Sequence, residues 1–378
     1  MDFRRFLADE IEWAERLIVI RGQRGSGKTT LLLQQLKLYP ESAVYLSLDN
    51  IYFEANRLVF TIEQLYEAGY RRFFLDEVHR YNSWSKDLKN LYDNFPDIQM
   101  VCTGSSVLEI DKGQEDLSRR AAVYELPGLS FREFLILRKG QKYDAFSLDS
   151  VISMHDEIAD SITDKTDILD HFKEYLDRGY YPYFMDGWKT YSGKLRDATQ
   201  LTLDLDIAIY EDLNAATLRN MKKLMYVISQ SVPFKPNISS LSRKLEIPRN
   251  TILKILDLLQ RAEIFMLLRS DTQGVSFLQK PEKVYLQNTN LIHTFAEGKP
   301  SKGNLRETFF MNQLKVRHKV TASRFADFMV DDTWTFEVGG PAKTREQICG
   351  VPNSRIASDG IKEGSGDKIP LWMFGFLY

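Results

Sequence analysis

Cysteine is nearly missing. Cys102 and Cys349 are the only two in 378 residues, and so wide a separation supplies neither a disulfide framework nor the paired spacing of a zinc site. Long hydrophobic runs are missing as well: nothing approaches the ~18 to 20 apolar residues of a membrane-crossing helix. The stretch Met1-Asp2-Phe3-Arg4-Arg5 lacks the uninterrupted apolar core of a secretory signal. Excess charge is lacking too, with 50 Lys and Arg against 52 Asp and Glu. That excludes a chain coated in one sign but leaves room for a local basic surface. Together these absences predict a cytoplasmic protein of a reducing compartment, with no membrane partner.

Against those absences, hydrophobic residues at 43% and charged residues at 27% describe a globular chain. Its length predicts about two or three domains. Charge is unevenly spread: residues 144 to 170 carry eight acids and one base, Lys165, whereas 301 to 320 carry five bases and one acid, Glu307.

The chain is organised around Gly22-Gln23-Arg24-Gly25-Ser26-Gly27-Lys28-Thr29, which fits the phosphate-loop pattern G-x-x-x-x-G-K-[ST] without mismatch. The apolar run Leu17 to Ile20 before it reads as a buried strand, and Thr30 to Leu36 after it reads as a helix. Glycine at 22, 25 and 27 permits backbone angles that turn successive N–H groups toward phosphate oxygens, and the helix start adds unpaired N–H groups and a positive dipole end. Gly22, Gly25, Ser26, Gly27, Lys28, Thr29 and Thr30 are therefore the expected nucleotide contacts, with Lys28 on the β- and γ-phosphates and Thr29 on Mg²⁺.

Further along, Arg71 to Leu75 reads as a strand that delivers Asp76 and Glu77 at its C-terminal end, the edge where ligands sit in an open parallel sheet. Asp76 is expected to hold Mg²⁺ through its water shell, and Glu77 to orient or deprotonate an attacking water. The strand Ile98 to Thr103 ends in Gly104-Ser105-Ser106. Ser105 is the first choice for a hydroxyl that reports the state of the γ-phosphate, and Thr103 the second. Ser130-x-x-Glu133 ahead of an apolar run is a capping box. Alternating strands and helices from 17 to 126 imply a three-layer α/β domain with a mainly parallel sheet.

Taken together, the phosphate loop, Phe73 to Glu77, Thr103 to Ser106, Leu126 to Phe134, Gly179 to Pro182 and Phe336 to Gly339 resemble AAA-type ATPases of bacteria and archaea that carry an appended C-terminal region. The resemblance implies ATP and Mg²⁺ as ligands, Lys28 and Thr29 as Walker A residues, Asp76 as the Walker B metal residue, Glu77 as the catalytic glutamate and Ser105 as a sensor. In such ATPases an arginine often completes the site from a neighbouring subunit, and Arg119 or Arg120 lies where one would look.

Beyond the ATPase domain, expected over 1–140, an acidic linker and helical region is expected over 141–230. Residues 231–286 read as helix, turn, helix and hairpin, the order of a winged helix, with a wing turn at Asp271 to Gly274. Arg243, Lys244, Arg249 and Lys254 on or beside its helices suit DNA phosphates, and a protein partner or self-association is the competing use. Residues 287–378 place Glu307 on a helix, Asp327 on a strand and Glu337 on the next, the order of a restriction-endonuclease-like α+β site holding Mg²⁺. The lysine expected two residues after Glu337 is replaced by Gly339, so this domain reads as inactive unless Lys343 reaches back. The apolar end, Leu371 to Tyr378, reads as a buried final strand. The leading function is an Mg²⁺-dependent ATPase whose nucleotide state governs the second half; a non-hydrolysing nucleotide-dependent scaffold and a metal-dependent nuclease are the alternatives.

Overall fold

The computed structural model describes residues 3–104, 117, 119–164, 167–207, 215–230, 233–270 and 280–378. The chain divides into two compact units: Met1–Gly128 with Ala198–Leu213, and Leu129–Asp197 with Asn214–Tyr378. The first unit therefore ends before the expected 140 and takes in a later stretch of chain that sequence reading assigned to a linker.

In the first unit, five parallel strands run in the order β2-β3-β4-β1-β5, comprising β1 (Leu17–Arg21), β2 (Ala43–Ser47), β3 (Arg72–Asp76), β4 (Gln99–Gly104) and β5 (Ala122–Glu125). Side-chain alternation along each strand builds both faces. Leu17, Val19, Phe73, Leu75, Met100 and Cys102 pack on one side with Leu58, Ile62, Leu88 and Leu91 of two helices. Ile18, Ile20, Phe74 and Val101 pack on the other with Leu31 and Leu32 of the helix that follows the phosphate loop. These are the three layers that alternation predicted. The order puts β4 between β1 and β3, so the end of β4 lies between the phosphate loop and the acid pair.

Ahead of β1 the chain forms only the short helix Leu7–Glu10, because other donors claim carbonyls of this stretch: Trp13 Nε1 donates to Ala8 O at 2.9 Å, Gln99 Nε2 to Glu15 O at 3.1 Å and the Met100 N–H to Arg16 O at 2.8 Å. Thr61 lies inside the helix Leu58–Glu67, its hydroxyl bonded back to Arg57 O at 3.2 Å.

In the second unit, Ser130 and Glu133 form the full reciprocal capping box at the start of the helix Phe131–Lys139, a device worth about 1 kcal/mol. Much of the acidic stretch is helical, at Leu148–Ser153, His155–Thr163 and Ile168–Arg178. Helices Ile238–Leu245 and Arg249–Arg261 precede the antiparallel pair β6 (Phe265–Leu268) and β7 (Lys283–Leu286); the wing turn at Asp271 to Gly274 lies outside the described residues. A second sheet has the order β12-β11-β10-β9-β8, with β8 (Val320–Ala322), β9 (Phe328–Val330), β10 (Trp334–Gly339), β11 (Ser354–Ser358) and β12 (Lys368–Pro370). β10, β11 and β12 are parallel, and β8 and β9 are antiparallel to their neighbours. The apolar end is buried as expected but is a 3₁₀ helix, Leu371–Phe376, not a strand. Being buried on every side, it carries no period by which sequence could tell the two apart.

Candidate nucleotide-binding site

The phosphate loop is built on left-handed glycines. Gly22, Gly25 and Gly27 have φ of 154°, 82° and 99°, and a Cβ on Gly22 would lie 2.3 Å from the Leu126 carbonyl oxygen. No other residue fits there, because backbone oxygen cannot move aside as a flexible side chain can. Lys28 opens the helix Lys28–Leu36; it is buried, and its ammonium donates to Gly22 O at 2.9 Å and Gln23 O at 2.8 Å. Thr30, in the same turn, is exposed.

Asp76, the last residue of β3, is 3% exposed and accepts from three hydroxyls. Thr29 Oγ1 donates to Oδ2 at 2.8 Å, Tyr45 OH to the same oxygen at 2.9 Å, and Thr103 Oγ1 to Oδ1. Burial, then the hydrogen bond to Asp76, pushes the Tyr45 phenol up to about 12, so it remains a donor. The hydroxyl of Thr29 and the carboxylate of Asp76 thus meet at one point beside the loop, and this oxygen donor set fits Mg²⁺ held through water.

Glu77 follows with φ of 53°. Its N–H donates to Thr103 Oγ1 at 3.3 Å, so Thr103 touches both acids. Ser105, the preferred sensor, lies outside the described residues. His79 Nε2 is 3.5 Å from Glu77 Oε2. Burial, with Arg80, Arg24 and Lys28 nearby, pushes this imidazole down to about 3, which makes it neutral and the contact no ion pair. Arg120 is engaged by Asp93 at 2.9 and 3.0 Å, and Arg119 is exposed with φ of 69°; neither guanidinium has a described contact with the loop of its own chain.

Three residues of this site escaped sequence reading. Arg5 is buried and donates to Ser26 O in the loop, to Pro127 O at 2.7 Å and to Gly128 O at 3.0 Å. Tyr45 faces Asp76 from the neighbouring strand. Asp206 lies 3.4 Å from Arg24 and 3.6 Å from Arg80. Only Tyr45 left a signal, a polar atom on a strand next to the one that carries the acids.

The second set of carboxylates also converges, within the second unit. Lys283 Nζ donates to Glu307 Oε2 at 2.8 Å and to Asp327 Oδ1 at 2.9 Å, and Tyr285 OH donates to Glu307 Oε2 at 2.7 Å. Asp327 precedes β9 and accepts from the Val338 N–H at 3.1 Å. Lys343 does reach back: it pairs with Glu337, and its stem crosses Gly339, where a Cβ would meet it at 2.7 Å. Burial, partly offset by Lys343 and reinforced by Asp327 and Glu307, holds the Glu337 carboxyl above its usual range. Burial pulls Lys283 down, but Glu307 and Asp327 outweigh it and leave it raised. Among the described residues no group of three acids, histidines or cysteines has the spacing to hold a metal ion.

A parallel sheet with this order, a glycine loop at the end of β1 and an acid pair at the end of β3 define a P-loop nucleotide-binding domain, and residues 14–135 match the family described as AAA domain. Residues 169–302 match a domain of unknown function (DUF8612). An uncharacterized protein of Methanocaldococcus jannaschii is 27% identical over 304 residues; the match covers 72% of this chain and 62% of that protein's length. Among solved structures, the Walker-type ATPase of Pyrococcus abyssi is 12% identical with a TM-score of 0.41, covering 76% of this chain and 93% of its own. The Thermotoga maritima RuvB Holliday junction branch migration motor is 16% identical with a TM-score of 0.32, covering 68% and 82%. Among the described residues no helix is long and apolar enough to cross a membrane.

Proposed function

We propose that the chain hydrolyses ATP with Mg²⁺. The observation that carries this reading is the meeting of Thr29, at 2.8 Å, and Thr103 on the carboxylate of Asp76 beside a buried Lys28, with Glu77 next in sequence and backbone-bonded to Thr103. Thr29 and Asp76 are the residues that would hold Mg²⁺, which when bound neutralises charge on the phosphate oxygens. Lys28 and the loop N–H groups bind and orient the phosphates. Asp76 is fixed by Tyr45 and Thr103 and has little rotamer freedom to lose. Glu77 serves as the base toward water, and Thr103 links its position to that of the metal acid.

DNA is the proposed partner of the second unit. Arg243, Lys244, Arg249 and Lys254 all lie on the exposed faces of the two helices that precede β6, where a phosphate backbone could reach them. Steady-state ATP turnover by the purified chain with Mg²⁺, with and without duplex DNA, tests both statements. The expected result is a turnover that DNA raises and that falls as salt is added, since each phosphate contact releases counterions. Turnover indifferent to DNA at low salt would redirect the search to a protein partner, and ATP bound without turnover would favour a scaffold.

A second reading starts from Glu307 and Asp327 meeting on Lys283 and Glu337 pairing with Lys343, and it requires the acids to draw closer than the described arrangement, which holds no three at metal-binding spacing. It is a metal-dependent nuclease in which Lys343, reaching back over Gly339, takes the role of the lysine missing from that position. Incubating supercoiled plasmid with the protein and Mg²⁺ or Mn²⁺ decides it: nicked or linear product supports this reading, and intact plasmid that stays intact in excess protein removes it.

A further inference from the structure

Asp206 is a carboxylate in an unfavourable place. Its side chain is 2% exposed, yet its ion pairs with Arg24 and Arg80 are 3.4 and 3.6 Å long and both fall on Oδ1. Good charge-assisted pairs close to about 2.7 to 2.9 Å. The other oxygen, Oδ2, is buried with no hydrogen-bond partner among the described residues. A buried carboxylate so loosely held recovers little of its lost hydration, and burial is the largest influence on it, holding its carboxyl above the usual range despite Arg24, Arg80 and Lys28.

The chain goes out of its way to put the acid there. The helix that begins at Tyr191 loosens into a π-helical turn over Thr202–Asp206, and this turn buries Leu203 and Asp206. Such turns are uncommon and concentrate at functional sites. The two arginines come from the two halves of the nucleotide site. Arg24 is in the phosphate loop, between Gln23 and Gly25. Arg80 ends the 3₁₀ turn Val78–Arg80 directly after Glu77. Lys28 is close enough to act electrostatically on both Asp206 and His79. Arg80 is about a quarter exposed and borders a cavity of about 490 Å³ with Asp49, Asn50 and Arg57, which gives its guanidinium room to change rotamer.

We propose that Arg24 and Arg80 are phosphate-binding residues for the γ end of the triphosphate, and that Asp206 is the anion they hold until it arrives, so that Asp206 sets the preference for triphosphate over diphosphate. The inference rests on the ATP-binding reading above. Two anions cannot both take the same two guanidinium groups: phosphates arriving in the loop compete with the carboxylate directly, at distances where a unit charge is strongly felt. A diphosphate, ending short of the γ position, competes less. Release of Asp206 would free the Thr202–Asp206 turn, whose chain continues on both sides into the second unit.

Equilibrium titration of the full chain with fluorescent (mant) ATP and ADP, each with Mg²⁺, tests this in the wild type and in Asp206→Asn. Removing the competing charge is expected to lower the Kd for ATP about tenfold and that for ADP by less than about threefold. A Kd for ATP that is unchanged or higher in a folded Asp206→Asn protein overturns the proposal and leaves ATP binding standing, as a merely structural ion pair would predict. Wild type that binds neither nucleotide overturns the ATP-binding reading, and this inference with it. Should Asp206→Asn fail to fold, hydrogen exchange in the wild type decides: amides of residues 202–207 are expected to exchange faster with ATP than with ADP, and exchange that is equal or slower overturns the proposal.

Discussion

Lys28→Ala is expected to abolish nucleotide binding at micromolar ATP and to lower kcat/KM at least ~100-fold, the scale on which a single charge-stabilising donor acts in phosphoryl and acyl transfer. The buried ammonium lies on the carbonyls of Gly22 and Gln23, so its removal takes a fixed, buried positive charge out of the loop and leaves the apolar core beneath in place. Thermal unfolding without nucleotide should therefore change little, while the rise in Tm that ATP gives the wild type should vanish. The measurement is a pair of melts, with and without MgATP, beside the turnover assay. An Lys28→Ala protein that still gains Tm from MgATP would mean that the nucleotide sits elsewhere.

Glu77→Gln has the second largest expected effect, and its signature is the opposite. Binding should persist and even tighten, because the change removes a negative charge facing the phosphates, whereas kcat should fall by about 10² to 10⁴, the usual worth of a positioned base. The local geometry supports a group fixed for chemistry: Glu77 has φ of 53°, its N–H is bonded to Thr103 at 3.3 Å, and His79, 3.5 Å from its carboxylate, is pushed down to about 3 by burial and the surrounding cations. A neutral imidazole at that distance adds no ion pair to the carboxylate. Single-turnover hydrolysis with trapped ATP reads the step directly. Turnover equal to wild type would mean that another group activates the water and that Glu77 is only the residue that ends β3's acid pair.

Where requirements are local, sequence was enough. The phosphate loop needs left-handed glycines at fixed offsets from a lysine, and those offsets survive in any fold that uses them; the same holds for the reciprocal cap of Ser130 and Glu133. The unbroken apolar run Leu17 to Ile20 announced a buried strand, and both of its faces are packed. Other features were illegible because their partners are remote. Nothing near Arg5 indicates that its guanidinium will meet carbonyls more than a hundred residues away. Asp206 stood in a helical pattern as one acid among many. In the second unit, the two helices and the strands β6 and β7 after them were readable, whereas the pairing of Glu307 and Asp327 with Lys283, and of Glu337 with Lys343, depends on side-chain reach that periodicity does not encode.

Arg5 also has a bearing on time. Its guanidinium ties Ser26 of the loop to Pro127 and Gly128, and Gly22 rests against Leu126 with no space for a side chain. The loop is thus shaped by contacts whose closure spans more than a hundred residues, and closures of that length are among the slow events in folding. A chain emerging from synthesis therefore has its most recognisable motif made well before the strand that shapes it: until β5 has docked beside β1, the phosphate loop is a sequence without a cradle.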